Sequence, residues 1–237
     1  MYGDGDPGNL GDELEAADME LSIIAVAGQP SEVEGTLRVL IQTTRGDIPG
    51  LLTPCEGEPG AVIMVGGAYG GFDGPADSVY ERLAAPLAQR GVSTLRIHYR
   101  RPNDFEECVL DVLAAASFLK GIGAERIALV GHSFGGAVVV KAAQLSDRIV
   151  AIVSMSPQLF GTRQVHLMSK PLLLIHGADD QVLDMAASQD IYDRANEPKE
   201  LVILPDTGHT LYQGKDEVYE LLLDWIPKHV RWAPSPN

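Results

Sequence analysis

Ser133 lies in Gly131-His132-Ser133-Phe134-Gly135-Gly136, with an apolar, β-branched run at 126–130 before it and an apolar run at 137–145 after it. The first run reads as a buried strand and the second as a mostly buried helix. A serine on the turn between them is suited to nucleophilic attack for a geometric reason. The turn is so tight that the flanking residues must lack side chains, which Gly131 and Gly135 provide. The hydroxyl is then lifted clear of the sheet edge, within reach of both a base and a substrate. The Phe134 amide opens the following helix, where unpaired N–H groups and the positive end of the dipole favour an oxyanion. The bland alternative is a glycine-rich turn whose serine only caps the helix.

A serine hydroxyl needs a base, and the base needs an orienting carboxylate. Two stretches after Ser133 offer them. Leu174-Ile-His176-Gly-Ala-Asp179-Asp180-Gln-Val182 stands directly beyond one strand-like run, and Pro205-Asp-Thr-Gly-His209 beyond the next. Both fall where strand ends would deliver them to one rim. His132 precedes the nucleophile and reads as a packing or hydrogen-bonding residue, and His176 as one that shapes the acidic loop. His98 sits at a strand end without a catalytic assignment. Arg100 and Arg101 follow that strand end, where they could pair with a substrate carboxylate. The acids Asp104, Glu106 and Glu107 close by are the competing partners.

The elements that must position these residues alternate in type. Strands are expected at 61–65, 92–98, 126–130, 149–153, 171–175 and 201–204. Helices are expected at 77–89, 104–120 with Asp104 as its cap, 137–145, 185–195 and 216–228. Repeated strand–helix units with solidly apolar strands make a parallel sheet covered on both faces, with its active site at the carboxyl ends of the strands. Ahead of this core, 35–42 and 50–53 flank a Gly-Asp turn and read as an antiparallel hairpin. Residues 19–27 fit either an added edge strand or a short helix. Residues 1–18 are acidic and glycine-rich, with no Lys or Arg before Arg38, and read as a mobile tail. Residues 19–237 then form a single α/β domain. The connection at 154–170 has room for a loop or one helical turn, so no large cap domain is expected.

Composition narrows the function. The chain has 237 residues, 45% of them hydrophobic, enough for one full core. The formal charge of −15 argues against a nucleic-acid partner or an anionic membrane surface. No apolar run approaches membrane-spanning length, and the first residues have no signal-peptide pattern. Cys55 and Cys108 are far apart and lack metal-ligand spacing, which suggests free thiols in a reducing, cytoplasmic compartment.

Together, Gly-His-Ser-Phe-Gly-Gly, His-Gly-x-x-Asp-x-Val and a late Gly-His resemble the small, cap-poor, dienelactone-hydrolase-like members of the α/β-hydrolase superfamily, over residues from about 35 to 230. The resemblance implies a mostly parallel twisted sheet with helices on both faces. It further implies a triad of Ser133, His209 and Asp180 acting through an acyl-enzyme on a small-molecule ester, with no metal and no organic cofactor. A thioesterase or peptidase on the same triad, or a non-catalytic binding module, are the alternatives. Dienelactone hydrolases proper use a cysteine nucleophile, so Ser133 departs from them and their substrate is not carried over. The motif spacing puts the acid at Asp180 and leaves Asp179 to cap the loop by accepting backbone N–H bonds. A second oxyanion donor is expected from Gly66-Gly-Ala-Tyr-Gly-Gly71, with the Ala68 amide first and that of Tyr69 second. Tyr69 and Phe72 could also line an apolar acyl pocket. A phosphate-binding loop is disfavoured, because no Gly-Lys-Ser/Thr follows.

Overall fold

A computed structural model describes residues 20–231. The expectation of an acidic tail at 1–18 therefore lies outside the described residues. The strands are β1 (Ile23–Pro30), β2 (Leu37–Thr43), β3 (Gly46–Thr53), β4 (Gly60–Val65), β5 (Val92–Ile97), β6 (Arg126–His132), β7 (Ile149–Met155), β8 (Leu172–Gly177) and β9 (Lys199–Leu204). The helices are α1 (Pro75–Gln89), α2 (Phe105–Gly121), α3 (Phe134–Gln144), α4 (Ala186–Arg194) and α5 (Lys215–Val230). All nine strands form one sheet in the order β1-β2-β3-β5-β4-β6-β7-β8-β9. The pairs β1–β2, β2–β3 and β3–β5 are antiparallel, and every pair from β5–β4 to β8–β9 is parallel.

The parallel strands are apolar because both their faces are covered. One core layer joins the sheet to α1 and α5 and the other joins it to α2, α3 and α4. Helix α3 shows which force decides. Its Val138-Val139-Val140 run is poor helix sequence, at a cost of several tenths of a kcal/mol per residue. All three side chains are fully buried, and burying each one stabilises the fold by about 1.5–3 kcal/mol. Packing therefore outweighs propensity.

Three segments differ from the sequence expectation. Within the stretch expected as strand or helix at 19–27, residues from Ile23 on form a strand, β1, which pairs only with β2 among the described residues and is exposed along most of its length. The β2–β3 hairpin turns tightly at Thr44-Arg45, so Asp47, Ile48 and Pro49 belong to the strand rather than to the turn. Helix α1 opens with Ala76, Asp77 and Ser78 at φ of 51°, 61° and 58°, a left-handed turn costing about 1–2 kcal/mol per residue. The Ala76 amide there donates to Thr210 O at 2.7 Å, which ties the start of α1 to the loop carrying His209. As expected, Asp104 caps α2, its carboxylate accepting from the Glu107 amide at 3.3 Å. Between β7 and β8 there is only a loop with one 3-10 turn at Val165–Leu167 and no large cap.

The turn between β6 and α3 explains its own glycines. Ser133 has φ 57° and ψ −121°, a conformation that costs a non-glycine residue about 1–3 kcal/mol. A Cβ on Gly131 would lie 2.1 Å from Gly135 O, and one on Gly135 would lie 2.2 Å from Gly66 O. Backbone packs directly on backbone at both positions. Gly135→Ala is therefore expected to lower unfolding stability by about 1–3 kcal/mol or more. Gly121→Ala, where a Cβ meets nothing within 4 Å, should leave stability unchanged or raise it. Urea denaturation of both variants checks the contrast.

Candidate active site

The elbow lifts Ser133 to the carboxyl edge of the sheet, where its Oγ lies 3.0 Å from His209 Nε2. His209 follows β9, and its Nδ1 lies 2.7 Å from Asp180 Oδ2 on the loop after β8. The three residues come from the carboxyl ends of β6, β8 and β9, in the chain order Ser, Asp, His. The Asp180 side chain is fully buried. Its Oδ1 accepts the amides of Val182 at 2.8 Å and Leu183 at 2.9 Å, while Oδ2 faces His209 and, at 3.1 Å, His176 Nε2. Burial works to raise the Asp180 pKa, but the Leu183 amide, the His209 hydrogen bond and the Val182 amide outweigh it and hold the carboxyl below the usual carboxylate range. At neutral pH Asp180 is therefore an acceptor only.

Asp179 does not cap the loop. Its side chain is exposed, and among the described residues it has no side-chain partner. Asp180 performs both tasks, with one oxygen closing the loop and the other facing the imidazole. His132 has the hydrogen-bonding role read from the sequence. Its Nε2 lies 2.8 Å from His209 O, where it serves as the donor, and its ring lies 4.9 Å from the His209 ring. Burial lowers its pKa to about 4. His98 packs beneath the Gly66–Gly71 loop, against Gly70 and edge-on to Phe72.

That loop starts between two buried tyrosines which the sequence reading did not single out. Tyr80 OH donates to Val65 O at 3.0 Å and Tyr99 OH to Gly66 O at 3.3 Å. The sequence carries little signal for them, since Tyr80 stands between Val79 and Glu81 and Tyr99 between His98 and Arg100; it is their burial that obliges each hydroxyl to find an acceptor. The loop then makes a tight turn, closed by Gly70 N to Gly67 O at 2.9 Å. A Cβ on Gly67 would lie 3.7 Å from Ser133 Cβ, so the turn passes directly over the serine. Among the described residues, neither the Ala68 amide nor the Phe134 amide has a hydrogen-bond acceptor. Tyr69 stands at the tip of the turn, exposed to solvent.

The arginines correct the sequence expectation. Arg100 is not a substrate residue, because its side chain is 3% exposed and fully engaged. It pairs with Asp111 and, at 2.7 Å, with Glu107 Oε2, and donates to Arg45 O at 2.9 Å. Burying the adjacent acids on α2 requires a buried cation, and that demand holds the guanidinium away from the rim. Burial pushes the Asp111 pKa up to about 6 against the pull of Arg100. Arg101 is largely exposed, 3.8 Å from Glu107, and makes no recorded contact with Ser133, His209 or Asp180.

An aromatic ladder leads outward from the elbow. Phe134 meets Phe105 edge-on at 5.9 Å, and Phe105 meets the exposed Phe160 at 5.0 Å. Leu159, Val182, Met185 and Tyr212 are further exposed apolar residues on the loops that follow β7, β8 and β9. Among the described residues no group of three or more His, Cys, Asp and Glu side chains could hold a metal ion, and no helix is long and apolar enough to cross a membrane.

This strand order, with a serine elbow after β6, an acid after β8 and a histidine after β9, is that of the α/β-hydrolase fold. More narrowly, residues 107–222 match the family model described as phospholipase/carboxylesterase. Among curated proteins, the chain is 31% identical over 121 residues to the α/β-hydrolase domain-containing protein aho-3 of Caenorhabditis elegans, covering 42% of this chain and 36% of that protein. It is 28% identical over 132 residues to YfhR of Escherichia coli, covering 44% and 46%. The chain thus spans less than half the length of these relatives. Among solved structures, dienelactone hydrolase from Anabaena variabilis superposes with a TM-score of 0.71 at 20% identity, over 87% of this chain and 99% of its own. XC6422 from Xanthomonas campestris, a serine hydrolase without a lid, gives 0.69 at 18% identity over 87% and 100%. These structural likenesses establish the fold.

Two outcomes are expected from the titratable groups. Arg100→Met leaves Asp111 buried without its cation and should cost about 3–5 kcal/mol at neutral pH. That penalty should shrink as the pH falls and Asp111 takes up a proton, and urea denaturation at several pH values checks both statements. His132 stays neutral in the native state down to about pH 4, whereas an unfolded histidine takes a proton near pH 6.5. Its contribution to stability is therefore intact above pH 6.5 and lost progressively toward pH 4. His132→Leu should flatten the pH dependence of stability in that window.

Proposed function

We propose that this chain hydrolyses carboxylic esters through an acyl-enzyme formed on Ser133. The observation that carries the proposal is the continuous line from Ser133 Oγ to His209 Nε2 at 3.0 Å and from His209 Nδ1 to Asp180 Oδ2 at 2.7 Å, beside two amides without acceptors. In this reading His209 Nε2 takes the Ser133 proton as Oγ bonds to the ester carbonyl carbon. The carbonyl electron pair moves onto oxygen, which the Phe134 and Ala68 amides receive. The tetrahedral species collapses, its C–O bond to the alcohol breaks, and His209 protonates the departing alkoxide. A water, deprotonated by His209, then attacks the acyl carbon. The acid departs and the proton returns to Ser133. Asp180 stays ionised throughout, fixes the Nδ1–H tautomer and stabilises the transient imidazolium. The scheme calls for no metal or organic cofactor.

The aromatic ladder and the uncapped, apolar rim support an ester with an apolar acyl group. One structural neighbour, Est1E from Butyrivibrio proteoclasticus, was solved with ferulic acid bound, which makes aromatic acyl esters the first substrates to try. With Arg100 buried in its acid cluster, a fixed cation for a free substrate carboxylate is not part of the reading.

A fluorophosphonate probe is expected to label Ser133, and Ser133→Ala should lower kcat by on the order of 10⁴–10⁶ with the fold intact. Asp180→Asn should cost on the order of 10⁴ by leaving the wrong imidazole tautomer, whereas Asp179→Asn should stay near the parent rate. An alanine variant that still hydrolysed a good ester at the parent rate would refute the reading. Thioesters and aminoacyl amides belong in the same panel, because a preference for either reassigns the leaving group while keeping the triad.

A further inference from the structure

The sheet edge around Ser133 has two unlike sides. On the side of α2 and α3 lies the aromatic ladder of Phe134, Phe105 and Phe160. On the side of α1 lies a cavity of about 360 Å³ that the mechanism above leaves unused, a volume within the roughly 300–1,000 Å³ usual for small-molecule sites. Its walls are the glycine turns after β4, the first turn of α1 and the loop after β9. Three of its lining residues adjoin the reacting groups. Gly67 passes over the serine, a Cβ there lying 3.7 Å from Ser133 Cβ. His132 precedes Ser133, and its ring lies 4.9 Å from that of His209. Thr210 follows His209, and its carbonyl accepts the Ala76 amide at 2.7 Å, which ties this wall to α1. The lining chemistry is unlike that of the ladder. No Val, Leu, Ile, Met or Phe lines the cavity, and its glycines present bare backbone. Of its two carboxylates, Asp77 is paired with Lys215 Nζ at 2.8 Å. Asp73 is exposed, and among the described residues its carboxylate forms no hydrogen bond or ion pair.

We propose that this cavity is the subsite for the departing alcohol of the ester, and that it takes a polyhydroxy alcohol such as glycerol or a sugar. This rests on the ester reading above. The placement follows from the proton transfer. His209 protonates the departing alkoxide, so the alcohol leaves on the face of Ser133 that the His209 loop borders, and the acyl group keeps the aromatic side. The alcohol class follows from the lining. An alkyl chain there would strip water from carboxylate, hydroxyl and backbone acceptors and return no hydrogen bond, whereas hydroxyl groups replace that water. By microscopic reversibility, an alcohol that leaves through the cavity also enters by it and attacks the acyl-enzyme in place of water. Its hydroxyl gives a proton to His209, its oxygen bonds to the acyl carbon, and the bond from that carbon to Ser133 Oγ breaks as Oγ takes the proton.

The test holds one acyl group, cinnamoyl, and varies the alcohol among hexyl, 2-methoxyethyl and glyceryl. The 2-methoxyethyl ester has an activated leaving group like the glyceryl ester but no hydroxyl to donate. The glyceryl ester should exceed it about 10-fold in kcat/KM, the scale of one hydrogen bond to a charged group, and the hexyl ester should be no better than either. Asp73→Leu should remove most of that preference, while Asp47→Asn, an acid outside the cavity, should keep it. Acyl-enzyme formed from a p-nitrophenyl ester should be captured by glycerol more than by 2-methoxyethanol at equal concentration, and Asp73→Leu should erase the difference. Equal kcat/KM for the glyceryl and 2-methoxyethyl esters, a hexyl ester as the best substrate, or an unchanged preference in Asp73→Leu would overturn the subsite and leave the ester reading standing. No turnover of any ester, with Ser133 unlabelled by a fluorophosphonate, would overturn the ester reading and the subsite with it.

Discussion

The contact on which the site depends is backbone against backbone. Gly135 packs on the carbonyl of Gly66, and Gly131 on the carbonyl of Gly135, with no room for a single methyl group at either place. This contact holds the turn after β4 over the turn after β6. Tyr80 and Tyr99 hold the other side of the same junction, by binding the carbonyls of Val65 and Gly66. The strain at Ser133 is sustained because the interior of β6 and most of α3 are buried and cannot relax toward it.

From that junction the remaining parts are positioned by strand ends. Parallel pairing sets β6, β7, β8 and β9 side by side in register, so loops that are distant in sequence open onto one edge. Each loop is then fixed by its own hydrogen bonds: Asp180 closes the one after β8, while His132 and the Ala76 amide hold the one after β9. The left-handed start of α1 belongs to this set. Its unfavourable backbone is offset by gripping Thr210, the residue next to His209.

Much of this was legible in the sequence because it is local or periodic. The elbow announces itself by two glycines and a serine between apolar runs, and the strand–helix alternation fixes the fold class. The acid and base follow from their places beyond β8 and β9. What was not legible depends on pairings across long separations. Arg45 meets Glu107 only after the β2–β3 hairpin docks on α2, and it is this long-range cluster that Arg100 turns inward to join rather than facing the rim. The two oxygens of Asp180 share the duties assigned to Asp179 and Asp180, because only the folded loop shows how many donors converge on one carboxylate.

The short β7–β8 connection has a kinetic meaning. On the proposed ester hydrolysis, and with no large cap among the described residues, encounter with substrate needs no slow domain movement, and the first barrier an ester meets is the electric field around the molecule. That field is set by a formal charge of −15. An anionic ester is repelled during its approach, before any contact with the rim, while a neutral or cationic one is not, and added salt weakens the discrimination as the Debye length falls to about 8 Å at physiological ionic strength. Selection among substrates would then begin in the solvent, as a difference in arrival rate that the residues around Ser133 have no part in.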